Sequence, residues 1–512
     1  MISEARQERD ERVMLTRRRL LRAGAALGVA AVAGSWEQGV TAGLGAVKQE
    51  EPPDMRRGAS SLVVQPVLTY SVPRRRQARS WRSWGGVQTE EAVTQEAEHI
   101  RKDLDQLCTS ADFGVRMLPL VKLTDPEGAA ALRGLDADLL LIYAAGGRTD
   151  LLEALGACGK PLIIFVRQDT DPYYLWHEIV SARFLRRHTD HIAQAAVDEH
   201  DVVVDNADEI LWRLRALYGL KNTVGRRIVA IGGPGGWSCP VAPELARERW
   251  QLDMVTIPIP ELRSMIEAGR QDEPLMSQCT GDARRYLRGS SVTLHTTKEA
   301  VAESFLLSEI FKDVMRKSDA YAITVRGCMA SYAGILPCLT LSLLNDAGYM
   351  AYCESDFVVI PSGILLHFIS GTPTFLCNPT YPHEGRMLFA HCSAPRRMNG
   401  KVREPAKIVT HFESDHGAAP KVHFRKGRLL TIIKPDFEAK RWLALRGKIT
   451  RTPFLPICRS QVEVKLAADA DEVIENLRGF HCMIAYGDYT REVAYAAKKV
   501  GIQVQLLDAP TG

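Results

Sequence analysis

No two of the 11 cysteines stand in a C-x-x-C pair, and they are scattered from Cys108 to Cys482. A disulfide framework or a zinc-ribbon site is thereby excluded, and the thiols read as mostly buried. An excess of one charge is lacking too, since 65 Lys and Arg against 61 Asp and Glu leave a formal net charge of +4. That balance argues against nucleic acid as a main partner. No segment is apolar over the length a bilayer requires, so no stable membrane insertion is expected once a leader is removed. Familiar motifs also fail. Gly232-Gly233-Pro234-Gly235-Gly236 lacks the third glycine of a dinucleotide fingerprint, and no Lys-Ser/Thr pair follows it as in a P-loop. His177-Glu178 has Ser181 where a zinc peptidase needs its second histidine.

What is present begins with Thr16-Arg17-Arg18-Arg19-Leu20-Leu21-Arg22, followed by the Ala/Gly/Val-rich run Ala23 to Gly34. This pattern resembles a twin-arginine leader, which exports folded proteins and implies a periplasmic destination, with the cytoplasm as the alternative; a basic start on an amphipathic or short membrane anchor is the other reading of the stretch. Residues 1–60 are read as signal and linker. At 512 residues the chain is too long for one core.

From Leu62 onward, short apolar runs alternate with helical periodicity. The strands expected include Leu62 to Tyr70, Val115 to Val121, Ala137 to Ala144 and Pro161 to Val166; helices are expected at Thr89 to Leu107 and Tyr174 to Arg187. Such alternation makes parallel sheets covered by helices. The fold class is therefore α/β: two Rossmann-like parallel-sheet domains, residues 61–222 and 223–352, then a β-rich α+β domain, 353–512. Arg74-Arg75-Arg76 with Trp81, Arg82 and Trp84 reads as an interface patch.

The chemistry concentrates after Cys338. A helix from Leu339 ends at Gly348, and the short strand Tyr349 to Cys353 empties into Glu354 and Asp356. Two carboxylates at the carboxyl end of a strand stand where α/β sheets open their crevice, or they cap the helix expected from Phe357 to Ser370. His391 closes a buried run, His411, His416 and His423 flank a β-region, and His481 lies just ahead of the last helix. The glycine loop after Ile231 is either a ligand loop or a tight turn.

With Cys353-Glu354-Ser355-Asp356, Ser370-Gly371-Thr372-Pro373, Ala390-His391-Cys392 and a late His481 before Gly487-Asp488, the chain resembles the L-fucose and L-arabinose isomerase superfamily. The resemblance implies a sugar or polyol ligand, an aldose–ketose interconversion through an ene-diol, and a homo-oligomer. It also implies manganese or another divalent ion on Asp356 and His481, with Glu354 taken as a further metal ligand and general base beside them, Asp356 catalytic and His391 touching substrate. Hard carboxylate oxygens beside an imidazole suit such an ion. The family also carries a glutamate upstream of that aspartate, whereas here none occurs between Glu309 and Glu354. A carbohydrate-binding homologue without the chemistry is thus the alternative; a hydrolase using the same carboxylates has less in its favour, because nothing fixes their separation.

Overall fold

A strand inside a helix-covered parallel sheet must be apolar on both faces. Leu62–Thr69 (β1), LVVQPVLT, meets that demand with all eight residues buried. The computed structural model describes residues 53–507 apart from 83–85, 147, 170–183, 185–196, 198, 290 and 328–333. The stretch expected to be a twin-arginine leader, His177-Glu178 and all of the expected helix Tyr174 to Arg187 except Phe184 lie outside the described residues.

The first sheet adds Val115–Met117 (β2), Val121–Leu123 (β3), Leu139–Ala144 (β4), Leu162–Val166 (β5) and Val202–Val204 (β6). Its order is β2-β1-β4-β5-β6, with β3 also on β1 and every pairing parallel. The single strand expected over Val115 to Val121 is two, because Pro119 has no N–H to give to a ladder; its carbonyl is taken instead by the Gln65 amide at 2.8 Å.

The second sheet, also wholly parallel, runs in the order Met350–Tyr352, Ala322–Val325, Arg227–Ile231, Asp253–Ile257. Its strands are Arg227–Ile231 (β7), Asp253–Ile257 (β8), Ala322–Val325 (β10) and Met350–Tyr352 (β11); Val292–His295 (β9) lies between them in sequence and pairs elsewhere. The remaining strands are Phe375–Pro379 (β12), Arg386–His391 (β13), Ala406–Val409 (β14), Ala419–Val422 (β15), Leu429–Pro435 (β16), Arg441–Arg451 (β17), Ser460–Leu466 (β18), Cys482–Tyr486 (β19) and Gln503–Leu507 (β20). Antiparallel pairings run β16-β19-β12-β13-β18-β17, and β17 pairs back with β16 to close a barrel. β20 joins β17 in parallel, while β9, β14 and β15 form a separate small sheet. The fold is therefore mixed α/β, with two parallel sheets and a C-terminal antiparallel barrel.

The barrel and the second sheet share packing. Trp250, ending the helix Ala242–Trp250, stacks on Trp442 of β17 with centroids 5.6 Å apart and planes at 13°. Both indoles are buried, and deleting either side chain is expected to cost about 3–5 kcal/mol. Arg56 and Arg57 anchor the first described residues. Arg57 Nε donates to the Ala347 carbonyl, at a helix end, at 2.8 Å, and the Arg56 guanidinium lies over the Tyr218 ring. Among the described residues, no helix is long and apolar enough to cross a membrane.

Candidate metal centre

Beyond β11 the chain turns instead of extending. Glu354 and Ser355 have φ of 67° and 48°, a left-handed conformation that costs a side-chain-bearing residue about 1–2 kcal/mol. Along a regular strand Cys353 and Glu354 would point to opposite faces. The left-handed turn breaks that alternation, and ligand atoms of Cys353, Glu354 and His391 all lie within 4.8 Å of one another.

The turn is held from the second sheet. Ser355 N–H donates to Thr324 Oγ1 of β10 at 3.2 Å. Gly235 N–H donates to the Ser355 carbonyl at 3.2 Å, and Phe357 N–H to the Gly235 carbonyl at 2.9 Å. The glycine loop after β7 is thus a support for the acidic turn. Its tightness is enforced at Gly236, where a Cβ would stand 2.2 Å from the Cys239 carbonyl oxygen and 2.5 Å from Ala242 Cβ. Trp237 follows, with its N–H 3.4 Å from Asp356 Oδ1.

The barrel contributes the histidines. His391 is the last residue of β13, with Nδ1 3.2 Å from Ser393 Oγ and Nε2 3.4 Å from Glu354 Oε1. His481 immediately precedes β19, in a turn where Gly479 adopts φ 58° and a Cβ would lie 2.0 Å from the Pro435 carbonyl oxygen. His481 Nδ1 lies 2.6 Å from Asp356 Oδ2, and its Nε2 lies 2.9 Å from Glu354 Oε2. All four side chains expected from the sequence, Glu354, Asp356, His391 and His481, are therefore brought together, and all are buried.

Their roles are not equivalent in geometry. Asp356 is already engaged, one oxygen by His481 and the other by the Val358 N–H at 3.1 Å and the Trp237 N–H. Such a carboxylate fixes the ring orientation and tautomer of the histidine it meets. Glu354 Oε2 and His481 Nε2, although only 2.9 Å apart, have no aligned hydrogen-bond partner. Two buried polar atoms left facing each other fit the donor set of a divalent cation. Capping does not explain Glu354, because the helix begins at Ile360 and its cap, Val359, makes no side-chain cap bond.

Burial alone pushes the Glu354 carboxyl up, but close contact with His391 and His481, followed by their charge, outweighs it and holds the group far below the usual carboxylate range. Burial likewise disfavours a charged His481, yet Asp356 and Glu354 overcome it and raise its affinity for a proton. Over this floor Trp237, 53% exposed, stacks on Phe480 with centroids 5.1 Å apart, and meets the His481 ring edge-on at 5.8 Å.

The sequence reading missed Cys353 as a neighbour of His391, and also the Trp237–Phe480 pair. His411 is a different case from His391 and His481: its Nδ1 lies 3.1 Å from Ser414 Oγ and it borders the Cys392 thiol.

No family model matches this chain. It is similar to a sulfoquinovose isomerase of Clostridium sp. (strain MSTE9), with 24% identity over 268 residues, 50% of this chain. The chain spans 59% of the length of that relative.

Proposed function

We propose that this chain is a metal-dependent sugar isomerase, interconverting an aldose and a ketose through an ene-diol. The observation that carries the reading is the convergence of Glu354, Asp356, His391 and His481, drawn from the second sheet and the barrel, on one buried point. Similarity to a sulfoquinovose isomerase supports the same class of substrate, a sugar with adjacent oxygens.

Glu354 and His481 would hold the ion, manganese or another divalent metal, which when bound supplies positive charge to two neighbouring sugar oxygens. Asp356, expected as a ligand and catalyst, is better suited to orienting His481 through Nδ1. The histidine contacts that hold the Glu354 carboxyl low, against its burial, favour cation binding there. The exposed face of Trp237 offers an apolar wall for the C–H side of a sugar beside the polar floor.

A second reading, a carbohydrate-binding homologue without turnover, is favoured by one observation: no glutamate occurs between Glu309 and Glu354. Conversion assays across an aldose panel that includes sulfoquinovose, with manganese added, separate the two. Ketose formation that disappears in Glu354→Gln supports the isomerase. Saturable sugar binding without conversion supports the binding protein, and neither signal refutes both.

Export through a twin-arginine route and assembly into a homo-oligomer belong to the same proposal. The export route rests on the leader-like sequence and the oligomer on the resemblance, and cell fractionation together with size-exclusion mass measurement tests them.

A further inference from the structure

We infer that Cys353 is a ligand of the metal centre, giving it a thiolate, carboxylate and imidazole set from Cys353, Glu354 and His391, with His481 beside it. The inference rests on the metal-dependent reading above and extends it to the chemical class of the ion. The three ligand atoms lie mutually within 4.8 Å, and all three residues are buried. Glu354, 6% exposed at its side chain, reaches His391 Nε2 at 3.4 Å with Oε1 and His481 Nε2 at 2.9 Å with Oε2.

Among the described residues this is the one group of three or more His, Cys, Asp or Glu side chains whose ligand atoms approach so closely. The backbone explains why it exists. Only the left-handed turn at Glu354 and Ser355 lets side chains 353 and 354 reach the same point, and strain of that kind persists where the surroundings hold it for a purpose. His391 then takes a ligand role in place of the substrate contact expected of it, oriented through Nδ1 by Ser393 Oγ.

A sulfur donor changes which ions the centre prefers. Soft thiolate with imidazole selects zinc, iron or cobalt, whereas manganese and magnesium favour all-oxygen or oxygen-rich shells. Binding would form a sulfur–metal bond and release the thiol proton to solvent, so uptake should expel a proton as well as occupy the site.

Cobalt(II) is the probe, because it reports its own ligands. The full chain, freed of metal and titrated with Co2+, should show visible d–d bands of low coordination together with a near-ultraviolet sulfur-to-cobalt charge-transfer band. In Cys353→Ser the charge-transfer band should vanish while d–d absorption persists. In Glu354→Gln both should weaken. Cobalt bound with no charge-transfer band in the wild type, or a band unchanged in Cys353→Ser, overturns the inference and leaves the metal-dependent reading standing. No cobalt uptake at all overturns both. Circular dichroism of each variant separates loss of a ligand from loss of fold, and Cys353→Ala serves if the serine variant does not fold.

Discussion

Replacing Asp356 with asparagine is the sharpest probe of how the site is built. Asparagine keeps the shape and still offers Oδ1 to the Val358 N–H, 3.1 Å away in the wild type, so the turn into the helix Ile360–Ser370 survives. What is lost is the charge facing His481 Nδ1 at 2.6 Å. A hydrogen bond to a charged group contributes about 1.5–3 kcal/mol, and Asp356 is 1% exposed, so solvent does little to replace it. Asp356→Asn should therefore lower stability by about 1.5–3 kcal/mol, read from the shift in urea midpoint followed by circular dichroism. Asp356→Ala, which also strands His481 and two backbone N–H groups, should cost about 3–5 kcal/mol. Because Asp356 acts through His481, divalent-metal affinity should fall about 10- to 100-fold in the asparagine variant. A variant with unaltered urea midpoint and unaltered metal affinity would refute the orienting role, and complete loss of metal at millimolar concentration would instead make Asp356 a direct ligand.

Three other perturbations follow from the geometry. Gly236→Ala forces a Cβ to within 2.2 Å of the Cys239 carbonyl oxygen, so the loop must shift; about 1–3 kcal/mol of stability should be lost, with altered Trp237 emission and weaker metal binding, and an unchanged emission spectrum would mean the loop does not position that ring. Burial, with the charges of Arg56 and Arg226 adding to it, depresses the His367 pKa to about 4, so the unfolded chain takes up this proton first as pH falls. Stability tied to His367 is therefore complete above the ordinary histidine pKa and lost below it, by about 2 kcal/mol between roughly pH 7.5 and pH 5. Urea midpoints at the two pH values should converge by that amount in His367→Gln, and an identical pH slope in both proteins counts against the assignment. Arg167→Met leaves Glu96 buried without its 3.0 Å partner and Asp103 without its 2.7 Å one, at about 3–5 kcal/mol; adding Glu96→Gln should restore a large part, and no restoration would show the cost to be one of packing.

Sequence periodicity carried the parallel sheets well because their strands are uninterrupted apolar runs, as at Leu139–Ala144 and Leu162–Val166, both wholly buried. The barrel was less legible. Arg441–Arg451 carries four arginine or lysine residues besides its Gly447, and reads as surface although Trp442 to Leu445 are buried. Its partners are set by closure across the barrel, a long-range property that no local pattern encodes. The carboxylate pair was legible because a short strand led into it, whereas His481 was reached through the resemblance, since the strand Cys482–Tyr486 directly after it is not among those the periodicity suggested. Cys353 was not, since strand alternation assigns it to the face opposite Glu354 and only the left-handed turn reverses that. The missed helix Glu273–Arg288 has a mostly polar exterior and buries only Cys279, Ala283 and Tyr286 within its span, too sparse a stripe to read unaided.

The division of the centre between a parallel sheet and the barrel has a mechanical consequence. Glu354 hangs from the edge of a parallel sheet, while His391 and His481 are the rims of two barrel strands, so an ion held by them would be a rivet across the seam. Removing it should loosen that seam locally: a chelator would make the turn at Glu354 and Ser355 and the loop at Gly235 more accessible to proteases, with the shared core around Trp250 and Trp442 still packed. Conversely, whatever pulls the barrel from the sheet, even by an ångström, would dissolve the site without unfolding a single element.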